Sequence, residues 1–442
     1  MRDHPLHQAG ATWRGRQFAQ DLADNEVWVA AAAVGASVLA PRLLPLSALV
    51  LLAFWPVRWL ASGRLTRRTP ADLLVALLLL MVPVTLGVTA VPDKTIPQTL
   101  RLLTGVGLFY AVLNWGVSRR RINLLTTAAL AGGLGLAVFA VFSVDWAEGK
   151  LAFFPDWIYA GLPALVSDTA NPNVVAGNLV LLLPLAISLP LFAWRELSKG
   201  LRMLAVASAL AMTAILVLSQ ARGGALAMTA VLGLLATLRW RRGWLVLAAA
   251  GLGLVALVRL VGMAEIASFF SARLALGGLA GRQEIWSRAL LIIRDFPLTG
   301  IGMGSFTEVV DALYPLFHLE PGKVAHAHNL FLQVAVDLGV PGLVSWLGIW
   351  LLVVFCSWRL FRAGRSRGDR LLTATAAGLL GGQGALLVHG MVEAVTWGMV
   401  RPAPLLWGLW GLSLAAWMAA SHDSFNRSSM QDKDKIATRS AA

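Results

Sequence analysis

Two histidines separated by a single residue, His326 and His328, are the side chains in this sequence best suited to move a proton. A neutral imidazole with an ordinary pKa of about 6.5 accepts a proton near pH 7, so either residue could act as a general base. A metal site would need a third ligand at a recognisable spacing, and the nearby His318 and Asp337 do not provide one. The pattern therefore predicts a general base with no metal and no cofactor. The alternative is a histidine that caps the following helix.

Three arginines are candidates for binding an anionic substrate. Residues four apart share a helix face, and in a helix that begins at Gly281 this places Arg282 on an apolar stripe and Arg288 among carboxylates. An arginine on an apolar surface needs an anionic partner from elsewhere, and phosphate matches the paired donors of its guanidinium. An exposed ion-pair face explains Arg288 equally well. Arg222 lies in a turn beside Gly223, where a ligand could approach the backbone, although an arginine that reaches the membrane interface is the alternative.

Four polar residues could support this chemistry. Gln333 and Asp337 are one helical turn apart, so they could orient a partner or cap a turn. Asn329 directly follows His328. Asn173 belongs to an Asn-Pro-Asn run that is typical of a helix start.

The glycine-rich run Gly300–Ser305 is a weak signal for a nucleotide-binding loop, because no strand precedes it and no clear helix follows. We interpret it as a turn that lets two loop segments pack closely. Further along the loop we predict an amphipathic helix, His328–Leu338, which the break Gly339–Gly342 separates from the next span.

The elements that position these residues must be membrane helices. Hydrophobic residues make up 57% of the 442 positions and charged residues only 14%, which is too apolar for a soluble globular protein. We therefore predict an all-α polytopic integral membrane protein that forms one domain over residues 1–442. The net charge of +14 is spread in short Lys/Arg clusters between apolar runs, which indicates a topology signal rather than nucleic-acid binding.

About twelve runs are long and apolar enough to cross a hydrocarbon layer of about 30 Å. Alternate connections carry the basic clusters, so the positive-inside rule places both termini in the cytoplasm. Three other segments are predicted: a loop of moderate size at 145–172, a large periplasmic loop at 262–339 and a disordered cytoplasmic tail at 421–442. The predicted spans are 27–41, 43–60, 71–92, 98–117, 122–144, 173–194, 201–219, 222–238, 243–261, 340–361, 371–392 and 402–420.

Several of these residues together resemble the signature of the O-antigen ligase and polymerase superfamily. The features Asn171–Asn173 and Arg222–Gly223 also resemble that family. The main resemblance extends over four runs, Gly281–Trp286, Asp295–Phe306, His326–Gln333 and Asp337–Leu343.

The resemblance implies an inverting glycosyltransferase of the bacterial inner membrane whose active site faces the periplasm. Its donor would be a glycan linked to undecaprenyl pyrophosphate, and its acceptor a sugar hydroxyl of the lipid A core or another glycan. Carried over by motif, Arg222 and Arg282 would bind the pyrophosphate, with Arg288 as a weaker third. His328 would be the general base, with His326 as support or substitute. Two arginines could hold the charge of the leaving pyrophosphate without a metal, which agrees with the side-chain chemistry.

Three other functions stay open at the level of sequence. An O-antigen or polysaccharide polymerase and a protein O-oligosaccharyltransferase would use the same donor with a different acceptor. A small-solute or anion transporter would place polar groups near the bilayer midplane. His389 and Glu393, four residues apart in the eleventh predicted span, could pair structurally or line a cavity.

Overall fold

The computed structural model describes residues 5–144, 146, 171–262 and 278–421. Most of the loop predicted at 145–172, the first part of the large loop at 263–277 and the tail predicted to be disordered beyond residue 421 lie outside the described residues. Within the described part the chain is helical and has no β-strand, as predicted.

The helices follow one another through short connections. In chain order they are α1 (Pro5–Asp24), α2 (Glu26–Leu39), α3 (Leu44–Ser62), α4 (Asp72–Val88), α5 (Pro92–Trp115), α6 (Arg119–Ser143), α7 (Pro172–Ala193), α8 (Lys199–Leu218), α9 (Arg222–Arg239), α10 (Trp244–Val261), α11 (Gly278–Asp295), α12 (Phe306–Leu313), α13 (Leu330–Ser366), α14 (Arg370–Gly390) and α15 (404–421).

A helix occupies each of the twelve predicted apolar runs. Among the described residues, eight helices are long and apolar enough to cross a membrane, and α1 with α2, bent by 58°, adds a ninth candidate. The protein is therefore a polytopic membrane protein, whereas the count of twelve spans stays a prediction. α4 has only 17 residues and is short for a span.

Small residues let the central helices pack closely. α7 and α14 are in extensive contact, and α9 and α13 pack beside α14. A Cβ atom at Gly378 of α14 would lie 2.4 Å from Ser188 Oγ, and one at Gly381 would lie 2.6 Å from Pro184 Cβ. Only glycine fits at these positions, as is common where membrane helices meet.

α13 is broken where the sequence predicts a break. Gly339 has φ 69° and ψ −176°, a conformation outside the helical range, and Pro341 follows. The backbone N–H of Val340 donates to Pro297 O at 2.7 Å. A Cβ at Gly339 would contact the same carbonyl at 2.7 Å, so glycine allows the large loop to dock here.

The arginine clusters meet at one end of the bundle. Arg119 pairs with Asp369, and Arg370 pairs with Glu196 at 3.1 Å. These contacts join three different interhelical connections, and further arginines donate to carbonyl groups in the same region. The geometry agrees with a single basic end, which we call the basic end below.

The large loop docks at the opposite end through the glycine-rich run. Gly300, Gly302 and Gly304 all have positive φ, between 64° and 94°. The N–H of Met303 donates to Thr85 Oγ1 at 2.8 Å, and its carbonyl accepts from Thr95 Oγ1 at 2.7 Å. The run therefore forms a close-packed junction with α4 and α5 and leaves no room for a nucleotide. The N–H of Ile301 donates to Val336 O at 2.9 Å, so two segments of the loop also pack together here, as interpreted from sequence.

Candidate functional site

Two histidines and a carboxylate form a buried cluster at the loop end of the bundle. Glu393 Oε1 lies 3.2 Å from His326 Nε2 and 3.4 Å from His328 Nδ1. The imidazole centroids are 4.0 Å apart. Each of the three side chains is 10–13% exposed. The histidines come from the segment before α13 and the glutamate from the turn after α14, so tertiary packing brings them together.

The hydrogen bonds of His326 determine which of its nitrogens carries the proton. The backbone N–H of His328 donates to His326 Nδ1 at 3.1 Å, so Nδ1 is an acceptor. In the neutral ring the proton is then on Nε2, which faces Glu393. Both nitrogens of His326 are therefore engaged, which leaves this residue poorly placed to accept a substrate proton.

His328 differs from His326 in its backbone conformation and in its hydrogen bonding. Its φ is 47°, one of two positive values at non-glycine residues in the described chain. Such strain persists only where the surroundings impose it, and it is common at functional sites. Its Nδ1 faces Glu393 at a charge-pairing distance without an aligned hydrogen bond. Its Nε2 makes no hydrogen bond to any residue that the structure describes, so this nitrogen can accept a proton from a substrate.

The electrostatics of the cluster keep the carboxylate charged and His326 neutral. Burial raises the pKa of Glu393, but the nearby His328 and His326 outweigh this effect and hold it at about 2. Burial, together with the charge of His328, lowers the pKa of His326 to about 4. At neutral pH the cluster therefore carries a negative carboxylate beside at least one neutral imidazole.

Two arginines from separate elements complete the site. Burial lowers the pKa of Arg282. The charge of Glu393 raises this pKa and the charge of Arg222 lowers it, so the three charged groups interact electrostatically. Arg222 begins α9 two residues after Gln220, whose φ of 50° is the other positive value at a non-glycine residue. The two guanidiniums therefore lie within electrostatic range of the cluster, since the charge of Arg282 also acts on His326.

Glycines form the inner wall of the site. A Cβ at Gly177 of α7 would lie 2.8 Å from His389 Cε1, and one at Gly223 would lie 2.9 Å from Val392 Cγ2. His389 is buried between these two helices and lies one helical turn before Glu393. The glycines therefore let α7 and α9 close on the segment that carries the carboxylate.

Arg288 lies elsewhere. Its guanidinium is 3.6 Å from Glu284, donates from Nε to Pro315 O at 3.1 Å and lies 5.3 Å above the Phe317 ring. These contacts correspond to the ion-pair face that the sequence analysis gave as one interpretation of Arg288. The contacts of Arg288 lie on a different face of α11 from Arg282, because residues six apart on a helix point about 120° away from each other.

Asn329 fixes the histidine segment at the start of α13. Its Oδ1 accepts from the N–H groups of Phe331 and Leu332 at 3.0 and 3.1 Å. Its Nδ2 donates to Met391 O at 3.2 Å, two residues before Glu393. Because Asn329 caps the helix, α13 begins at Leu330 rather than at His328 as predicted.

A buried hydrogen-bond relay also connects the histidine segment before α13 with the segment after α14 that carries Glu393. The N–H of Ala327 donates to Gln333 Oε1 at 2.7 Å, and Gln333 Nε2 donates to Asp337 Oδ1 at 2.8 Å. Trp397 Nε1 donates to Asp337 Oδ2 at 2.8 Å. Gln333 and Asp337 thus orient partners rather than cap a turn, and Trp397 is their partner in the second segment.

Asn173 lies at the start of α7, where its N–H donates to Asn171 Oδ1 at 2.9 Å. The prediction that Asn171 caps this helix and that Pro172 begins it is confirmed. Asn178, further along α7, is 1% exposed and faces the bundle interior, as predicted. A role of Asn173 in the site stays a prediction.

The three ligand atoms of the cluster are close enough to hold a cation. Those of His326, His328 and Glu393 lie within 4.8 Å of one another. Both guanidiniums carry positive charge close to this point, however, and like charges oppose a divalent ion. The arrangement suits an anionic ligand beside a proton acceptor better than a metal.

Glu393 is the site residue that sequence reasoning missed. It was considered only together with His389, as a structural pair or as part of a cavity lining, because the 64 positions between it and His328 carry no spacing signal. The preference for buried carboxylates to be paired could have pointed to it, but only a tertiary contact identifies the partner.

Comparison with known families connects the site to one of them. Residues 207–347, about a third of the chain, match the family model described as O-antigen ligase. This region includes Arg222, Arg282, His326 and His328, whereas Glu393 lies outside it. No curated protein matches the chain.

Proposed function

We propose that this chain transfers a glycan from undecaprenyl pyrophosphate to a sugar hydroxyl of the lipid A core. Its match over residues 207–347 supports membership of the O-antigen ligase-like superfamily. The observation that supports the proposal best is the meeting of Arg222 and Arg282 with the His328–Glu393 pair. These four side chains supply an anion site and a proton acceptor in one place.

In the proposed reaction, His328 Nε2 accepts the proton of the acceptor hydroxyl. The hydroxyl oxygen attacks the anomeric carbon as the bond from that carbon to the pyrophosphate oxygen breaks, which inverts the anomeric configuration. Undecaprenyl pyrophosphate leaves with the bonding electrons, and Arg222 and Arg282 stabilise its charge. The negative charge of Glu393, 3.4 Å from Nδ1 of His328, stabilises the imidazolium that forms. Arg288 is not part of the proposed pyrophosphate site.

The proposed location is the bacterial inner membrane, with both termini in the cytoplasm and the site facing the periplasm. The arginine clusters gather at the end opposite the site, which supports this orientation under the positive-inside rule. A transporter is less well supported, because the polar cluster lies at the ends of α9 and α14 rather than on an interrupted helix at the bilayer midplane.

Reconstitution tests the proposed function. The purified chain in lipid vesicles, given an undecaprenyl-pyrophosphate-linked glycan and lipid A core, is expected to form glycan-bearing lipid A core with inverted linkage and to release undecaprenyl pyrophosphate. A chelator should leave the rate unchanged. Extension of the glycan on its own carrier without transfer to lipid A core would replace the ligase proposal with a polymerase.

The relay from Trp397 to Ala327 predicts that Trp397→Phe slows transfer without weakening substrate binding. Loss of the bond to Asp337 releases the segment that carries Glu393, and a shift of about 1 Å at a reacting group costs up to roughly 100-fold in rate. Steady-state kinetics should show a lower kcat at unchanged KM.

Trp346→Phe is the matched control, because Trp346 is fully buried but its Nε1 has no hydrogen-bond partner among the described residues. Equal loss of kcat in both variants would contradict a positioning role for Trp397.

The low pKa of His326 predicts that this residue destabilises the folded protein as the pH falls from about 6.5 to about 4. In this window the unfolded chain binds the proton and the folded chain does not, so stability rises with pH. The effect for this group is on the order of 3 kcal/mol. Thermal unfolding in detergent at several pH values would measure it.

His326→Asn should flatten that pH dependence. Glu393 adds its own loss of stability only below about pH 5.5, where the unfolded carboxyl begins to bind a proton and the folded one, with a pKa of about 2, does not, so the two proteins are compared above that pH. His318→Asn is the control, since the His318 side chain is 67% exposed. A His326→Asn protein with the pH profile of the wild type would refute the assignment.

A further inference from the structure

An apolar cleft separates α2 from α6 in the membrane-spanning bundle. It has a volume of about 450 Å³, and α5, α7 and α15 form its floor. Its lining residues include no charged side chain, so it offers no partner for a polar ligand. Because the walls are membrane helices, the material that can fill the cleft is hydrocarbon.

The cleft is elongated, and glycines leave it open. Gly35 of α2 and Gly132 and Gly135 of α6 line it, and a Cβ atom at any of the three would meet nothing within 4 Å. From Trp28 to Leu39 it extends about 17 Å at 1.5 Å per residue. An extended hydrocarbon chain can lie along this length.

Positively charged arginine side chains lie at one mouth of the cleft. The Trp28 ring packs edge-on against Trp115 at 5.4 Å, and the guanidinium of Arg121 lies 5.1 Å above the Trp115 ring. Arg120 is adjacent, so this mouth belongs to the basic end. A lipid whose chain enters here would present its headgroup to these arginines, and each nearby cation favours an anionic headgroup.

We propose that the cleft binds one acyl chain of an anionic glycerophospholipid, with the headgroup against Arg121. This lipid is distinct from the glycan donor, whose pyrophosphate belongs at Arg222 and Arg282 at the opposite end. The bound chain supplies the contacts that α2 and α6 do not make with each other.

Native mass spectrometry of the full chain, purified in mild detergent, tests the proposal. The wild type is expected to retain one anionic glycerophospholipid, and the double variant Gly132→Leu/Gly135→Leu is expected to lose it, because two leucine side chains fill the cleft. Gly87→Leu is the control: Gly87 also has nothing within 4 Å but lies on α4, and this variant should keep the lipid.

Arg121→Gln leaves the cleft open and should reduce the preference for anionic headgroups without abolishing lipid retention, so it tests the proposal even if the double variant fails to fold. Equal retention by wild type and a folded double variant would overturn the proposal. A retained polyprenyl phosphate in place of a glycerophospholipid, or an unchanged headgroup preference in Arg121→Gln, would overturn it as well.

Discussion

Replacement of His328 by alanine is expected to lower the rate of glycan transfer by roughly 100- to 10,000-fold, the usual contribution of a general base. Nε2 of His328 is the imidazole nitrogen of the cluster with no partner among the described residues, and the strained backbone at φ 47° aims this ring. In the native host, lipopolysaccharide on a gel should lose its long-chain material while the protein is still produced.

His326→Ala is expected to have a smaller effect than His328→Ala. Its Nδ1 is occupied by the N–H of His328 and its Nε2 faces Glu393, so its loss disturbs the position of the base rather than removing it. His318→Ala, in an exposed part of the loop, should leave transfer unchanged. If His326→Ala abolishes transfer and His328→Ala does not, the roles of the two histidines are reversed. Unchanged lipopolysaccharide in both variants would remove the general-base mechanism.

Arg282→Ala and Arg222→Ala are each expected to lower kcat/KM for the lipid-linked donor by roughly 100- to 1,000-fold, the range found when one donor to a developing charge is removed. The arginines act on the same leaving group, so the double variant should lose less than the product of the two effects. Arg282→Lys should recover only part of the rate, because an ammonium lacks the paired donors of a guanidinium. Initial rates over a range of donor concentrations would measure these losses.

Two arginines on the same helix provide controls for Arg282. Arg294 is 73% exposed on its side chain, and Arg294→Ala should retain wild-type kinetics. Arg288→Ala removes contacts within the large loop and should lower thermal stability more than kcat/KM. A loss of donor kinetics in Arg288→Ala equal to that in Arg282→Ala would restore Arg288 to the pyrophosphate site.

Helical spacing in the sequence was sufficient to separate these arginines. Arg282 lies on an apolar stripe and Arg288 on a charged one, and the structure places them in different environments. The same local rules predicted the capped start of α7 and the break at Gly339. These features depend on residues within one or two helical turns, so periodicity and capping preferences are enough to predict them.

The sequence by itself therefore determined that this protein is a polytopic membrane protein, that its basic clusters and its large loop lie at opposite ends, and which histidines and arginines could react. Only the tertiary structure decided that Glu393 lies beside both histidines and that Trp397 donates a hydrogen bond to Asp337. The physical reason is the range of the interactions. Periodicity and charge alternation are properties of neighbouring residues, whereas the contact between residues 328 and 393 depends on how α13 and α14 pack against each other.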